Sequence, residues 1–340
     1  MPIVQAPMAG GPSTPALASA VGRAGGLGFL AAGYLRADQL REDIRAAQEH
    51  DYVFGVNVFV GGGKPADPSV IHSYARRLGD EARRAGVALG DARFDDDDFE
   101  HKVDVLERAS VPVVSFTFGV PSAGVIERLR AVGSEVWLTV TSPLEAEAAQ
   151  LAGADALVVQ GIEAGGHRGV FVDDDSQSDL TLLAALALVG QVTDLPLVGA
   201  GSIMTGGAVA AVLVAGARAA QVGSAYLLCP EAGTSDAQRS ATSTSVPTAL
   251  TRAFSGRTAR GIVNRFHREY SGCAPQAYPE VNRLTAPLRA HGRAVGDSDL
   301  INLWAGQAHS LVTAAPAEEI TRRLARDARE VIGMWASRMG

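Results

Sequence analysis

Apolar residues in this chain gather into short runs that end on glycine or a polar side chain, and longer stretches with helical spacing separate them. The runs cover 3–8, 27–32, 54–60, 111–118, 135–140, 156–160, 196–201 and 219–226. A run that short and that apolar reads as a strand buried on both faces. Amphipathic or small-residue stretches lie between them at 14–24, 37–49, 68–85, 99–108, 125–132, 143–152, 180–192 and 208–215, with Ser13 or Thr14 able to cap the first. Strict alternation of strand and helix implies a parallel sheet covered by helices. Eight such units over about 230 residues match the count and size of a closed (β/α)8 TIM barrel. An open doubly wound sheet is the rival, but it would concentrate its glycine fingerprint after one strand. Here glycines and polar residues follow many strands, which suits a barrel mouth built from all strand ends.

The pattern changes after residue 226. The rest has no obvious strand, several helical stretches, and a closing amphipathic helix over 315–339. The expected layout is a barrel over 1–234, a small α-helical addition at the barrel mouth over 235–312, and a C-terminal segment, 313–340, packing back on the barrel.

Composition narrows the function. The net charge of −7, without a basic stripe, argues against nucleic acid or an anionic membrane. Two cysteines, Cys229 and Cys273, are too few for a disulfide framework or a four-cysteine metal site, and they suit a reducing, cytoplasmic setting. The first residues show no signal segment, and no apolar run is long enough to span a membrane. The acidic runs 95–98 and 173–175 lack the spacing and glycine of a calcium loop and read as solvated loop or helix-entry charge, so no metal is expected.

The chemistry-bearing stretch is Gln160-Gly-Ile-Glu-Ala-Gly-Gly-His167-Arg-Gly169. A buried strand stops on Gln160, and the loop beyond it carries Gly165, Gly166 and a histidine able to move a proton near neutral pH. His167 could equally be a structural loop histidine. Asn57, in an otherwise apolar strand, needs hydrogen-bond partners or an exposed ring edge to meet. Gly199-Ala-Gly201-Ser202 and Gln221-Val-Gly223-Ser224 follow the last two strands, where barrels often bind phosphate with backbone N–H groups. Phosphate there, with a ring across the strand ends, is the geometry of FMN. Ser115 and Thr117 either line the interior or stack in its layers.

These residues resemble the nitronate monooxygenase family (formerly 2-nitropropane dioxygenases), in its class I branch, over nearly the whole chain. The matching stretches include Gln5-Ala-Pro-Met-Ala-Gly-Gly11, Phe54-Gly-Val-Asn-Val-Phe59, Ser115-Phe-Thr-Phe-Gly119, the His167 loop, Gly199-Ala-Gly-Ser-Ile203 and Gln221-Val-Gly-Ser224. They continue with Thr251-Arg-Ala-Phe-Ser-Gly-Arg257, Asn282-Arg-Leu-Thr-Ala-Pro-Leu288 and Leu303-Trp-Ala-Gly-Gln307. One departure is Ser224, where many relatives have threonine.

The resemblance implies an FMN enzyme that oxidises alkyl nitronates, such as propionate 3-nitronate, with O2 to a carbonyl compound and nitrite through a flavin semiquinone. It implies no need for reduced nicotinamide. Ala6, Pro7, Met8, Asn57, Gln160, Gly165, Gly166, Gly201, Gln221, Val222, Gly223 and Ser224 would hold FMN. His167 would be the active-site histidine, holding the anionic nitro oxygens of a nitronate or taking the α-proton of a neutral nitroalkane. Tyr278, Asn282 and Trp304 would close the substrate side, or simply pack a subdomain. The partners are then a small nitronate and O2, in a monomer or small homo-oligomer. An FMN-dependent NAD(P)H reductase of an enoyl thioester or quinone is the competing enzyme. A non-catalytic flavin-binding protein is the competing non-enzyme.

Overall fold

The computed structural model describes residues 1–61, 63–174 and 179–339; Asp175, from the second acidic run, and Gly62 lie outside them. Its strands are β1 (Ile3–Gln5), β2 (Gly28–Ala31), β3 (Phe54–Phe59), β4 (Val113–Thr117), β5 (Glu135–Val140), β6 (Ala156–Gln160), β7 (Gly166–His167), β8 (Leu197–Ala200), β9 (Ala219–Val222), β10 (Thr248–Thr251) and β11 (Ala259–Ile262). Eight of them form one all-parallel sheet in the order β1-β9-β8-β6-β5-β4-β3-β2. The edges meet through a parallel bridge between Val4 and Leu27, with Gln5 N–H donating to Leu27 O at 2.8 Å. This closes the (β/α)8 TIM barrel.

The helices are α1 (Pro15–Arg23), α2 (Ala37–Gln48), α3 (Pro68–Ala85), α4 (Phe99–Ala109), α5 (Ala123–Ala131), α6 (Pro143–Ala152), α7 (Leu182–Val189), α8 (Gly206–Val214), α9 (Asp236–Thr242), α10 (Arg265–Tyr270), α11 (Glu280–Val295) and α12 (Ala317–Met339). Their starts follow capping chemistry. Thr14 accepts from Leu17 N–H at 3.0 Å ahead of Pro15, and Ser142 caps α6 ahead of Pro143.

Alternation along each strand splits the core in two. Val56, Val58, Val114, Leu138, Val159 and Val222 face the helices, while Val4, Phe29, Val113, Trp137, Val158 and Val198 fill the barrel interior. Gly55 makes room for Phe29, whose ring a side chain at 55 would overlap. Phe29 in turn packs on Trp137 at 5.8 Å. The next interior layer toward the strand C-termini is polar: Asn57, Ser115, Thr117, Thr139 and Gln160.

The stretch after residue 226, expected to be strand-free, contains β10 and β11. They pair antiparallel, and β11 also pairs with β7 from the His167 loop. A second core, with Tyr74, Leu78, Phe254, Phe266, Val281 and Leu288, lies beneath this ribbon and α11. It takes in α3, which lies in the span assigned to the barrel. The last helix, α12, buries Ile320, Leu324 and Ala328 in the barrel's outer layer, and Thr321 Oγ1 bonds Tyr226 Oη at 2.7 Å.

Candidate active site

The geometry begins where β6 ends. Gln160 Nε2 donates to the His167 carbonyl at 3.1 Å, and Gln160 Oε1 accepts from Gly169 N–H at 2.8 Å, so one side chain folds the loop back over the strand end. Gly166 supplies the turn with φ 77°. From the far side, β11 pairs Ala259 with His167, and Arg168 N–H donates to Thr258 O at 2.8 Å. The histidine is thereby fixed between barrel and ribbon.

Its ring lies among Trp304, Phe118 and Tyr278, with centroids at 5.4, 5.9 and 5.9 Å. His167 Nε2 is 2.8 Å from Ser255 Oγ. Ser255 Oγ also lies 3.2 Å from the Arg257 carbonyl, so with its proton given to that carbonyl the hydroxyl accepts from His167 Nε2–H. In that tautomer Nδ1 is the bare, basic nitrogen. Burial of the mostly covered ring and then the Arg257 guanidinium push the His167 pKa below its usual 6.5; Asp173 opposes this and Arg289 adds to it. His167 is therefore neutral at pH 7.

Of the expected cofactor residues, Asn57 is 3% exposed and donates through Nδ2 to Ser115 Oγ at 2.9 Å and Thr117 Oγ1 at 3.0 Å. Ala6 N–H donates to Val222 O at 2.8 Å, and Met8 N–H to Ser13 Oγ at 2.9 Å, which fixes the 6–8 segment against the end of β9. The Val222 side chain points into the outer core, so only its backbone reaches the mouth. A Cβ at Gly223 would meet Ala6 Cβ at 3.4 Å and Met8 Sδ at 3.7 Å, so glycine there keeps that wall thin. Ser202 Oγ accepts from Ala308 N–H at 2.6 Å and Ser224 Oγ from Gly306 N–H at 2.9 Å. Each hydroxyl retains its own proton to donate to an anion. Gly165 lies against Ala305 and Gly306, next to the same point. Glycine, hydroxyl and N–H groups thus converge beside β8 and β9, while Asn57, Gln160 and His167 stand toward the other strand ends.

The chain as a whole is similar to known proteins. The family model for nitronate monooxygenase matches residues 1–327. A probable nitronate monooxygenase of Staphylococcus aureus (strain Newman) is 38% identical over 347 aligned positions, covering 97% of this chain and 95% of that protein. The chain belongs to the nitronate monooxygenase family. It is an oxidoreductase by that membership. Among solved structures it is similar to nitroalkane oxidase from Streptomyces ansochromogenes, with TM-score 0.96, 45% identity, and 98% and 97% of the two chains covered. It is also similar to FabK from Thermotoga maritima, with TM-score 0.78, 25% identity, and 99% and 95% covered. Among the described residues no helix is long and apolar enough to cross a membrane, and no group of three or more His, Cys, Asp or Glu is placed to hold a metal ion.

Within this family frame, Tyr278 and Trp304 meet His167, whereas Asn282 does not. Its Oδ1 and carbonyl accept from Arg289 Nη2 at 2.7 and 2.6 Å, so it holds a buried guanidinium at the pocket wall. Sequence reasoning missed Ser255, Phe118 and Arg257, though all three lie in stretches that carried the family resemblance. Asp98 does stand at the entry of α4, but two other acids of these runs are not solvated: Asp173 is 6% exposed and pairs with Arg252, and Asp97 is held in a brace. Asp97 pairs with Lys102, whose side chain is 0% exposed, at 2.7 Å, and accepts from Tyr34 N–H at 3.1 and 3.3 Å. Tyr34 has φ 69°, so this buried brace holds a left-handed loop at the pocket rim. Asp98 Oδ2 accepts from Ala37 N–H at 2.9 Å, at the start of α2.

Proposed function

We propose that this protein is an FMN-dependent nitronate monooxygenase that oxidises alkyl nitronates with O2 to a carbonyl compound and nitrite. The observation that carries the reading is the neutral, oriented His167 in an aromatic cage, over strand ends whose polar and glycine residues suit a flavin phosphate and ring. Family membership and the likeness to a nitroalkane oxidase support it. The residues fit FMN. Gly201, Ser202, Gly223 and Ser224 would take the phosphate; Ala6, Pro7, Met8, Asn57, Gln160, Gly165, Gly166 and Gln221 would border the rest. Bound FMN would supply the electron-transfer and O2 chemistry.

The protein's own share is binding and proton handling. A nitronate already carries its charge on the reacting group and needs no base. A neutral nitroalkane must first lose its α-proton, and Nδ1 of His167 is the atom that takes it, while Ser255 holds Nε2–H and keeps the ring in place. Phe118, Tyr278 and Trp304 exclude water around that nitrogen.

One consequence concerns the cofactor. A Cβ at Gly165 would lie 2.5 Å from both Ala305 C and Gly306 N, and Gly306 N–H is the donor to Ser224. Gly165→Ala therefore lowers FMN affinity by about tenfold or more, equivalent to roughly 1.4 kcal/mol. Fluorescence titration of the apoprotein measures it, and unchanged affinity contradicts the placement.

The function is tested by supplying an alkyl nitronate aerobically without nicotinamide and assaying nitrite. Nitrite release at enzymic rates supports the reading. Flavin bleaching by NADH with no nitrite would favour the reductase alternative, and a bound flavin with no turnover at all would favour the binding protein.

A further inference from the structure

The pocket poses an electrostatic problem. If its substrate is an anion, as proposed above, His167 brings no positive charge to it: the ring is neutral, and with Nε2–H on Ser255 its Nδ1 presents a lone pair. A lone pair facing an anionic oxygen repels it. The positive charge has to come from another side chain.

Arg257 meets that need. It is 8% exposed, and its Cζ stands 3.9 Å from the centroid of Phe118, the ring that packs against both His167 and Tyr278. Nη2 donates to the Val170 carbonyl in the His167 loop, while Nε–H has no hydrogen-bond partner although it is buried. A buried N–H on a charged group without an acceptor is costly and rare in a folded protein. The buried Tyr34 hydroxyl, which meets the Tyr278 side chain, lies within electrostatic reach of the same guanidinium. Asp173 is the carboxylate that offsets Arg257. It is shared with Arg252, at 3.4 Å, and with Thr258 N–H, at 3.0 Å.

We propose that Arg257 is the specificity-determining residue that selects the ionised form of the substrate, its unsatisfied Nε–H and buried charge receiving the anionic nitro group beside His167. The inference rests on the proposed nitronate chemistry and adds what that reading leaves out, namely why an anion enters a pocket whose histidine is uncharged. The ligand class is a small planar oxyanion conjugated to carbon. A guanidinium suits it because its N–H groups lie in one plane.

The groups that set the local field are Arg257, Asp173 and Arg289 around His167, with Tyr278, Tyr34 and Glu145 also facing Arg257. Removing the Arg257 charge therefore changes two readouts that a packing defect would not change together. Affinity for the anion falls, and His167 becomes more basic.

The test compares propyl-1-nitronate with freshly dissolved 1-nitropropane on FMN-loaded wild type and Arg257→Met. The expected result is a fall of about 10–100-fold in kcat/KM for the nitronate, the span of one lost charge-assisted hydrogen bond. The nitroalkane enters uncharged, so its KM should change less than about threefold even as its kcat falls, because the same anion forms when the α-proton leaves, and its acid limb should move to higher pH. Should Arg257→Met not fold, Arg257→Gln keeps an amide donor for Val170 without the charge and gives the same split between the two KM values. A nitronate KM that is unchanged, or that rises no more than the nitroalkane KM, overturns the inference while leaving the nitronate function standing. A wild type that turns over neither substrate overturns the function and the inference with it.

Discussion

His167→Ala abolishes oxidation of neutral nitroalkanes far more completely than oxidation of nitronates. Nδ1 is the one basic nitrogen in the cage of Phe118, Tyr278 and Trp304, and loss of a positioned general base typically costs about 10²–10⁴-fold. The nitroalkane rate should fall by that amount. The nitronate arrives already deprotonated and should lose less than about tenfold. Steady-state nitrite release on the two substrates measures both, and equal losses would sink the base assignment. The pH dependence has a definite sign. Because the His167 pKa is depressed, the neutral base persists as pH falls through 6.5, and nitroalkane activity is lost only at lower pH, as the folded-state pKa is crossed. An acid limb at the ordinary histidine value would contradict the burial and the Arg257 influence described above.

The second large effect is on stability. Lys102→Met removes the only cation that pairs with Asp97 among the described residues, and leaves that carboxylate buried under Tyr34. Breaking one side of a buried ion pair costs about 3–5 kcal/mol. Burial already raises the Asp97 pKa despite Lys102, so the variant's Asp97 should take up a proton on folding. The expected outcome is a lower chemical-denaturation midpoint, largely restored by adding Asp97→Asn. A loss below about 1 kcal/mol, or no restoration in the double variant, would show that the pair does not brace the Tyr34 loop.

These two results mark where the sequence was informative. The barrel was legible because strands buried on both faces must be apolar throughout, so 135–140 and 156–160 coincide with β5 and β6 residue for residue. The polar ends of those strands were legible for the opposite reason. Asn57 and Gln160 stand out against apolar neighbours and need partners, and the structure provides them.

The ribbon was not legible. Thr248–Thr251 and Ala259–Ile262 are four residues each, contain an arginine and a glycine, and owe their strand form to pairing with each other and with the His167 loop. Ser255 and Arg257 were hidden for the same cause. Nothing local distinguishes a serine or arginine in that loop until the fold brings it 88 residues back to His167. Lys102 likewise looks like one charge on an amphipathic helix. Its complete burial follows from the left-handed turns at Asp97 and Asp98, which sequence spacing does not encode.

The central claim is that this pocket oxidises a nitronate directly, with no reduced nicotinamide. Anaerobic mixing of the FMN-loaded protein with an alkyl nitronate, followed by absorbance, tests it most directly. The account predicts the spectrum of an anionic one-electron-reduced flavin within the mixing experiment, and nitrite release once O2 is admitted. A flavin that stays oxidised with the nitronate but bleaches with NADH would contradict it.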